Sequence, residues 1–89
     1  MTNDERQRLK KLLHDSGLKI SLARLKILEV LDGSERALSA RELCEELSRS
    51  GEDISVLTVR QVLGRLGSCA VVARDGDGRY RLCPTALAC

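Results

Sequence analysis

A chain of 89 residues provides for one small domain, able to bury only about 60–65% of the surface that its unfolded form exposes. Its apolar residues are aliphatic, with no Phe or Trp and Tyr80 the lone aromatic, which excludes a surface that stacks single-stranded bases on several rings. The net charge of +2 hides a division: residues 1–31 carry seven Lys/Arg against four Asp/Glu, residues 32–57 three against seven, and residues 58–89 five against two. A general polyanion binder would be basic throughout, so the pattern leaves a directed basic face or ordinary solvated helix surfaces.

The first predicted helix runs from about Asp4 to Asp15. Thr2 or Asn3 caps it, and Leu9, Leu12 and Leu13 form its apolar stripe. Gly17 supplies a left-handed stop that Leu18 closes hydrophobically. A second helix begins after Ser21 and reaches about Leu31, burying Leu25, Ile27, Leu28 and Leu31, and Asp32-Gly33-Ser34 ends it. Ser39-Ala40-Arg41-Glu42 is a capping box that opens a third helix, with Leu43, Cys44 and Leu47 facing inward and Gly51 after its last turn.

A fourth helix runs from a Ser55 cap to about Leu66, with Gly67 as its stop. At 100° per residue, Val56, Val59, Val62, Leu63 and Leu66 share one apolar face. Leu57, Thr58, Arg60, Gln61, Gly64 and Arg65 occupy the opposite one. Two short strands follow, Ala70–Arg74 and Arg79–Cys83, around the acidic, flexible tip Asp75–Gly78; Tyr80 and Leu82 point one way, Arg79 and Arg81 the other. The fold class is therefore mainly α with a small β-hairpin, four helices and then a two-stranded wing, as in a winged helix-turn-helix. Residues 1–89 form a single winged-helix domain, of which 84–89 are a short C-terminal tail.

The cysteines Cys44, Cys69, Cys83 and Cys89 contain no Cys-x-x-Cys pair, and His14 is the one histidine. A structural zinc site needs four clustered ligands, so no metal site or cofactor is expected. His14 reads as a surface residue in the last turn of the first helix, where a cation suits the dipole, and Cys44 as a small core residue. Without a Cys-His or Ser-His-Asp set, enzyme activity is not expected. The charged N-terminus is no secretory signal and no apolar run approaches a membrane span, so a cytoplasmic protein with reduced thiols and no membrane contact is expected.

A recognition helix needs an apolar underside and an outer face of donors and acceptors, because base edges are read by hydrogen bonds. On the fourth helix Arg60 and Arg65 suit guanine or phosphate, Gln61 suits adenine, and Thr58 sits where hydroxyls and amides favour phosphate. Gly64 costs about 1 kcal/mol relative to Ala inside a helix; close approach to DNA, close internal packing and mere tolerance are its explanations. Leu57 suits a thymine methyl or a protein partner. Arg74, Arg79 and Arg81 on the wing suit the phosphate backbone or minor groove, or else protect an edge strand by their charge.

The stretch Leu18-Lys19-Ile20-Ser21-Leu22-Ala23-Arg24-Leu25-Lys26-Ile27-Leu28-Glu29-Val30-Leu31 resembles the opening of the ferric uptake regulator (Fur) family, G-L-K-V-T-x-P-R-x-x-I-L-x-x-L. Leu38–Leu43, Gly51–Ser55, Thr58-Val59, Val71-Val72 and the Gly-containing wing continue the match in order, from residue 10 to residue 82. The resemblance implies the family's N-terminal DNA-binding domain, which serves dimeric, metal-responsive repressors on A/T-rich inverted repeats. It implies that Lys19 lies near the minor groove, that Ser21 stands for the family's Thr, and that Arg24 supports backbone contact. Ala23 replaces the usual Pro. The family's T-V-Y-R appears as Thr58-Val59-Arg60-Gln61, so the Tyr that contacts thymine is absent and a different target or weaker binding is expected. The family's His-rich segment, Cys-x-x-Cys pairs and metal-binding dimerisation domain have no counterpart in these residues, and Arg36-Ala37 replaces the inter-domain His, so iron sensing is not expected.

These features point to a DNA-binding transcriptional regulator, or the DNA-binding part of one, with duplex DNA as partner. One small module reads few base pairs, so a homodimer or association with another regulator is expected through Leu9, Leu12, Leu57, the segment Ala86-Leu87-Ala88-Cys89 or a Cys89 disulfide. A protein-interaction module that binds another regulator without touching DNA is the alternative, favoured by Leu57 and the acidic stretch Glu42 to Asp53. A thiol switch through Cys69, Cys83 or Cys89 is a third reading.

Overall fold

The computed structural model describes residues 3–83, with side chains from Arg6 onward. The expected tail, including Cys89, and the cap expected from Thr2 or Asn3 lie outside the described residues and side chains. Four helices, α1 (Asn3–Asp15), α2 (Leu22–Gly33), α3 (Ala40–Arg49) and α4 (Val56–Ser68), precede the strands β1 (Val72–Arg74) and β2 (Tyr80–Leu82). The strands pair antiparallel, Val72 opposite Leu82 and Arg74 opposite Tyr80. This is the winged-helix arrangement.

Leu9, Leu13, Ile27, Leu28, Leu43, Leu47, Val59, Leu63, Leu66 and Val71 are fully buried and come from every helix and the start of the hairpin. Leu12, Leu18, Leu25, Leu31, Leu38, Ala40, Val72 and Leu82 complete one aliphatic core. Each such side chain stabilises by roughly 1.5–3 kcal/mol on full burial. Cys44 is half-buried against this core and its thiol donates to the Ile54 carbonyl. Among the described residues no group of three or more His, Cys, Asp or Glu could hold a metal, and no helix is long and apolar enough to cross a membrane.

Hydrogen bonds at the helix ends decide where the chain turns. Ser21, Ser39 and Ser55 each accept an amide from the third residue of the helix they cap, and in α3 the Glu42 carboxylate returns a bond to the Ser39 amide. At the end of α1 the Leu18 amide reaches back to Leu13 and that of Gly17 to His14, with Gly17 at φ +76°. Glu52 to Leu47 and Gly51 to Ser48 repeat this closure after α3.

The fourth helix departs from expectation. Gly67 does not stop it; α4 continues to Ser68, Cys69 caps it, and Ala70 takes the left-handed conformation at φ +60°. Val71 then donates to Leu66 and Ala70 to Gly67, the same double closure. The reason lies in the residue after the stop, which must be apolar to contact the last turn. Val71 and Leu66 are both fully buried, whereas Gly67 is followed by polar Ser68. Ala70 is consequently no part of the first strand. Two smaller corrections follow: α2 runs on to Gly33, with the Ser34 amide bonded to Leu31, and Val56, in the first turn of α4, is exposed rather than in the apolar face.

The hairpin is held on two sides. Its turn is tied by the Asp75 carboxylate, which accepts from the amides of Asp77 and Arg79 at 2.9 Å each. On its outer side Leu38 and Tyr80 exchange backbone hydrogen bonds of 2.9 and 2.7 Å. That bridge, absent from the sequence reading, means that β2 is not a free edge where Leu38 meets it. Across the helices, Glu29 bonds Arg6 at 2.9 Å and Lys26 lies between Glu29 and Glu52, so α1, α2 and the loop after α3 share one charged cluster.

Replacing Ala70 with Gly is expected to raise stability by about 1 kcal/mol, since an L-residue in the left-handed region costs roughly 1–2 kcal/mol and the added chain freedom of Gly offsets part of the gain. Denaturant melts of the two proteins measure it; an unchanged midpoint counts against strain at Ala70. The Glu42 carboxyl is held below the usual glutamate range, first by the Ser39 amide and further by Arg79 and Arg36. A lowered folded value gives stability that is present above the unfolded pKa and is lost as pH falls through the folded one. Glu42→Gln keeps an acceptor for Ser39 but does not titrate, so its stability should fall less than the parent's between about pH 6 and about pH 3. Part of the slope remains, because Asp75 is lowered in the same sense by the Arg79 and Asp77 amides.

Candidate nucleic-acid interface

The side that α4 turns away from the core is built by its own burial pattern. Val59, Leu63 and Leu66 are fully buried, which fixes the rotation of the helix and leaves Leu57, Arg60, Gln61, Gly64 and Arg65 exposed. Leu57, at 65% exposure, is the most exposed large apolar side chain described. Thr58 is half-buried; its amide and hydroxyl both meet the Ser55 hydroxyl, at 3.2 and 3.0 Å. An added methyl at Gly64 would meet nothing within 4 Å. Internal packing therefore gives no reason for a glycine there. The Gly64 carbonyl accepts from the Ser68 hydroxyl at 3.0 Å.

The segment before α2 carries the other residues singled out by sequence. Lys19 is exposed, and its carbonyl accepts from the Arg24 guanidinium at 2.6 Å. Ser21 accepts the Arg24 amide at 3.2 Å as the cap of α2. Ser21 and Arg24 thus shape the loop that presents Lys19, with Ile20 and Leu22 exposed beside it.

On the hairpin the arginines divide. Arg79 lies 3.7 Å from Glu42, which Arg36 also approaches at 3.4 Å. Arg74 and Arg81 are exposed and in no ion pair among the described residues. A groove of about 450 Å³ between the start of α3, α4 and the hairpin brings Arg60 and Arg74 together with Arg41. Arg41 was not singled out from the sequence. The signal was its position: a cation in the first turn of a helix opposes the helix dipole, which calls for another reason to be there.

Comparison with known proteins places this geometry. Residues 3–89 match the family described as "Uncharacterised conserved protein UCP029502". The ferric uptake regulation protein of Pseudomonas putida is 41% identical over 70 residues, covering 76% of this chain and 52% of that protein. That of Vibrio anguillarum is 46% identical over 63 residues, 70% of this chain and 42% of the relative. The chain spans about half the length of these curated relatives. Among solved structures, the Vibrio cholerae ferric uptake regulator, described for a rearrangement of its DNA-binding domains, aligns with a TM-score of 0.76 at 40% identity, over 82% of this chain and 60% of that one. The manganese-bound regulator of Pseudomonas aeruginosa aligns with a TM-score of 0.79 at 32% identity, over 86% and 61%. The chain belongs to the conserved UCP029502 family, and its winged helix is homologous to the N-terminal DNA-binding domain of the ferric uptake regulators.

Proposed function

We propose that the chain is a DNA-binding transcriptional regulator, or the DNA-binding module of one, that acts in the cytoplasm and has no enzymatic role. Residues 1–89 serve as one winged-helix unit. Helix α4 enters the major groove, where Arg65 and Gln61 read base edges, Leu57 meets a thymine methyl, and Arg60 reaches a base or a phosphate. Thr58 lies towards the backbone at the start of α4. Lys19, on the loop shaped by Ser21 and Arg24, approaches the minor groove, and Arg74, Arg79 and Arg81 follow the phosphates. No metal or other cofactor is assigned. One module covers few base pairs, so the reading includes a homodimer or association with a second regulator on DNA.

The observation that carries this reading is the outward face of α4: Leu57, Arg60, Gln61, Gly64 and Arg65 are all exposed, and none of their side chains has a hydrogen bond or ion pair among the described residues. The homology of the fold to domains that bind DNA supports it. A second reading, a module that binds another regulator and not DNA, is favoured by one feature, the exposure of Leu57 and Leu22 at 65% and 61%.

Binding to duplex DNA, followed by fluorescence anisotropy, is expected to weaken with salt at a slope of log K near −0.9 per phosphate contacted. Arg65→Ala should then cost about 1–3 kcal/mol and relax preference at one base position. No duplex binding at low salt, together with capture of a protein that Leu57→Asp abolishes, would decide for the second reading. Gly64→Ala separates folding from binding. It should stabilise the free chain by about 1 kcal/mol yet weaken DNA binding, because the methyl stands where the helix backbone approaches the duplex. If thermal melts show the gain and affinity is unchanged, close approach at Gly64 is wrong.

A further inference from the structure

We infer that Arg41, Arg60 and Arg74 form a phosphate clamp in the groove between the first turn of α3, the flank of α4 and the hairpin. Its ligand is a single oxyanion, supplied by the backbone of the bound duplex; the identity of that source rests on the DNA-binding reading above.

The three arginines Arg41, Arg60 and Arg74 line this groove with Ser39, Ala40, Gly78 and Tyr80, and no acidic residue does. None of the three makes an ion pair among the described residues. Gathering like charges is unfavourable, and the arrangement is stabilised when a doubly accepting anion bridges the guanidinium forks. The first turn of α3 adds to the demand. Its capping box satisfies the amides of Ser39 and Glu42, which leaves those of Ala40 and Arg41 open at the positive end of the helix. Glu42, next to Arg41 in sequence, is committed elsewhere: it bonds the Ser39 amide and pairs with Arg36 and Arg79.

Two of the arginines are aimed by the fold. The Arg74 guanidinium lies over the hairpin turn, with Nη2 3.5 Å from where a Cβ on Gly78 would stand. Gly78 itself is at φ +77°, so a side chain there is strained, and its Cβ would stand in ordinary van der Waals contact with Arg74. Arg60 lies roughly 70° around α4 from the middle of the outward face marked by Leu57, Gln61 and Gly64. That flank faces the groove, which assigns Arg60 to a phosphate rather than a base. It is also the position where the chain departs from the Fur-like pattern, an arginine replacing the tyrosine.

The test uses the full chain, a panel of duplexes of unrelated sequence, and Arg41→Ala, Arg60→Ala and Arg74→Ala. All three residues are exposed and outside the fold's ion pairs, so circular dichroism melts should match the parent's. Each single variant is expected to bind every duplex weaker by the same factor, and the triple variant, which loses the one phosphate contact, to bind roughly eightfold weaker at 0.1 M salt with a salt slope flatter by about 0.9. An unchanged slope, or an Arg60→Ala variant that reorders the panel, overturns the clamp while leaving DNA binding intact. If the parent binds no duplex, the DNA reading fails and inorganic phosphate becomes the probe, titrated against the labelled chain and followed through the arginine Nε–H resonances. Saturable shifts at Arg41, Arg60 and Arg74 then support an anion site for free phosphate; their absence overturns it.

Discussion

The burial of Val59, Leu63 and Leu66 under α4 is the constraint from which the functional surface follows. Three aliphatic side chains spaced three and four residues apart fix one rotation of the helix, and with it the direction of every other residue on it. In a core with no Phe or Trp, no single large ring anchors the packing, so orientation depends on many leucines and valines seated together. The outward positions Leu57, Gln61 and Gly64 and the flanking Arg60 are consequences of that seating. A polar residue at 59 or 63 would disturb the whole face before touching any ligand.

The hairpin's position depends on a different set of bonds. Leu38 pairs with Tyr80 just before Ser39 opens α3, so the wing and the first turn of α3 are joined by backbone hydrogen bonds one residue from the capping box. Arg79 and Glu42 connect the same two elements by charge. An exposed ion pair contributes little by itself; its use here is to occupy Glu42 and keep its charge beside the Ser39 amide. These bonds lie beside the groove lined by Arg41, Arg60 and Arg74, while the strands themselves pack mainly on α2 and α4.

Much of this was legible from residue order. The helices, the serine caps, the Ser39–Glu42 box, the Gly17-Leu18 closure and the hairpin all follow from local chemistry, in which donors and acceptors are a few residues apart. The misses share a cause. Gly67 is a better left-handed residue than Ala70, but the closure also needs an apolar residue next in sequence, and Val71 outweighs the intrinsic preference of Gly by joining the core. The Leu38–Tyr80 bridge joins residues 42 apart and leaves no local trace. Arg41 reads as part of a solvated helix until the fold brings Arg60 and Arg74 beside it. At the proposed site, the residues on α4 were legible because burial and exposure alternate with the helical period; their convergence with α3 and the hairpin was not.

The charge pattern takes on a different meaning once the partners are known. Within the acidic middle of the chain, Asp32, Glu42, Glu46 and Glu52 are paired with Arg8, Arg36 and Arg79, Arg49, and Lys26 respectively. Glu29 is likewise held by Arg6 and Lys26. These pairs consume cations from α1, α2, α3, the loop before α3 and the hairpin but none from α4, where Arg60 and Arg65 remain without ion pairs among the described residues, as do Arg41 and Arg74. At the acidic tip of the wing the Asp75 carboxylate is held by its own backbone amides, with Arg79 and Arg81 acting on it by charge. A net charge of +2 thus understates the local field beside α4: opposite charges cancel over part of the helical scaffold, while Arg60 and Arg65 on α4 and Arg41 and Arg74 at the groove stand outside the ion pairs among the described residues, and their potentials add there.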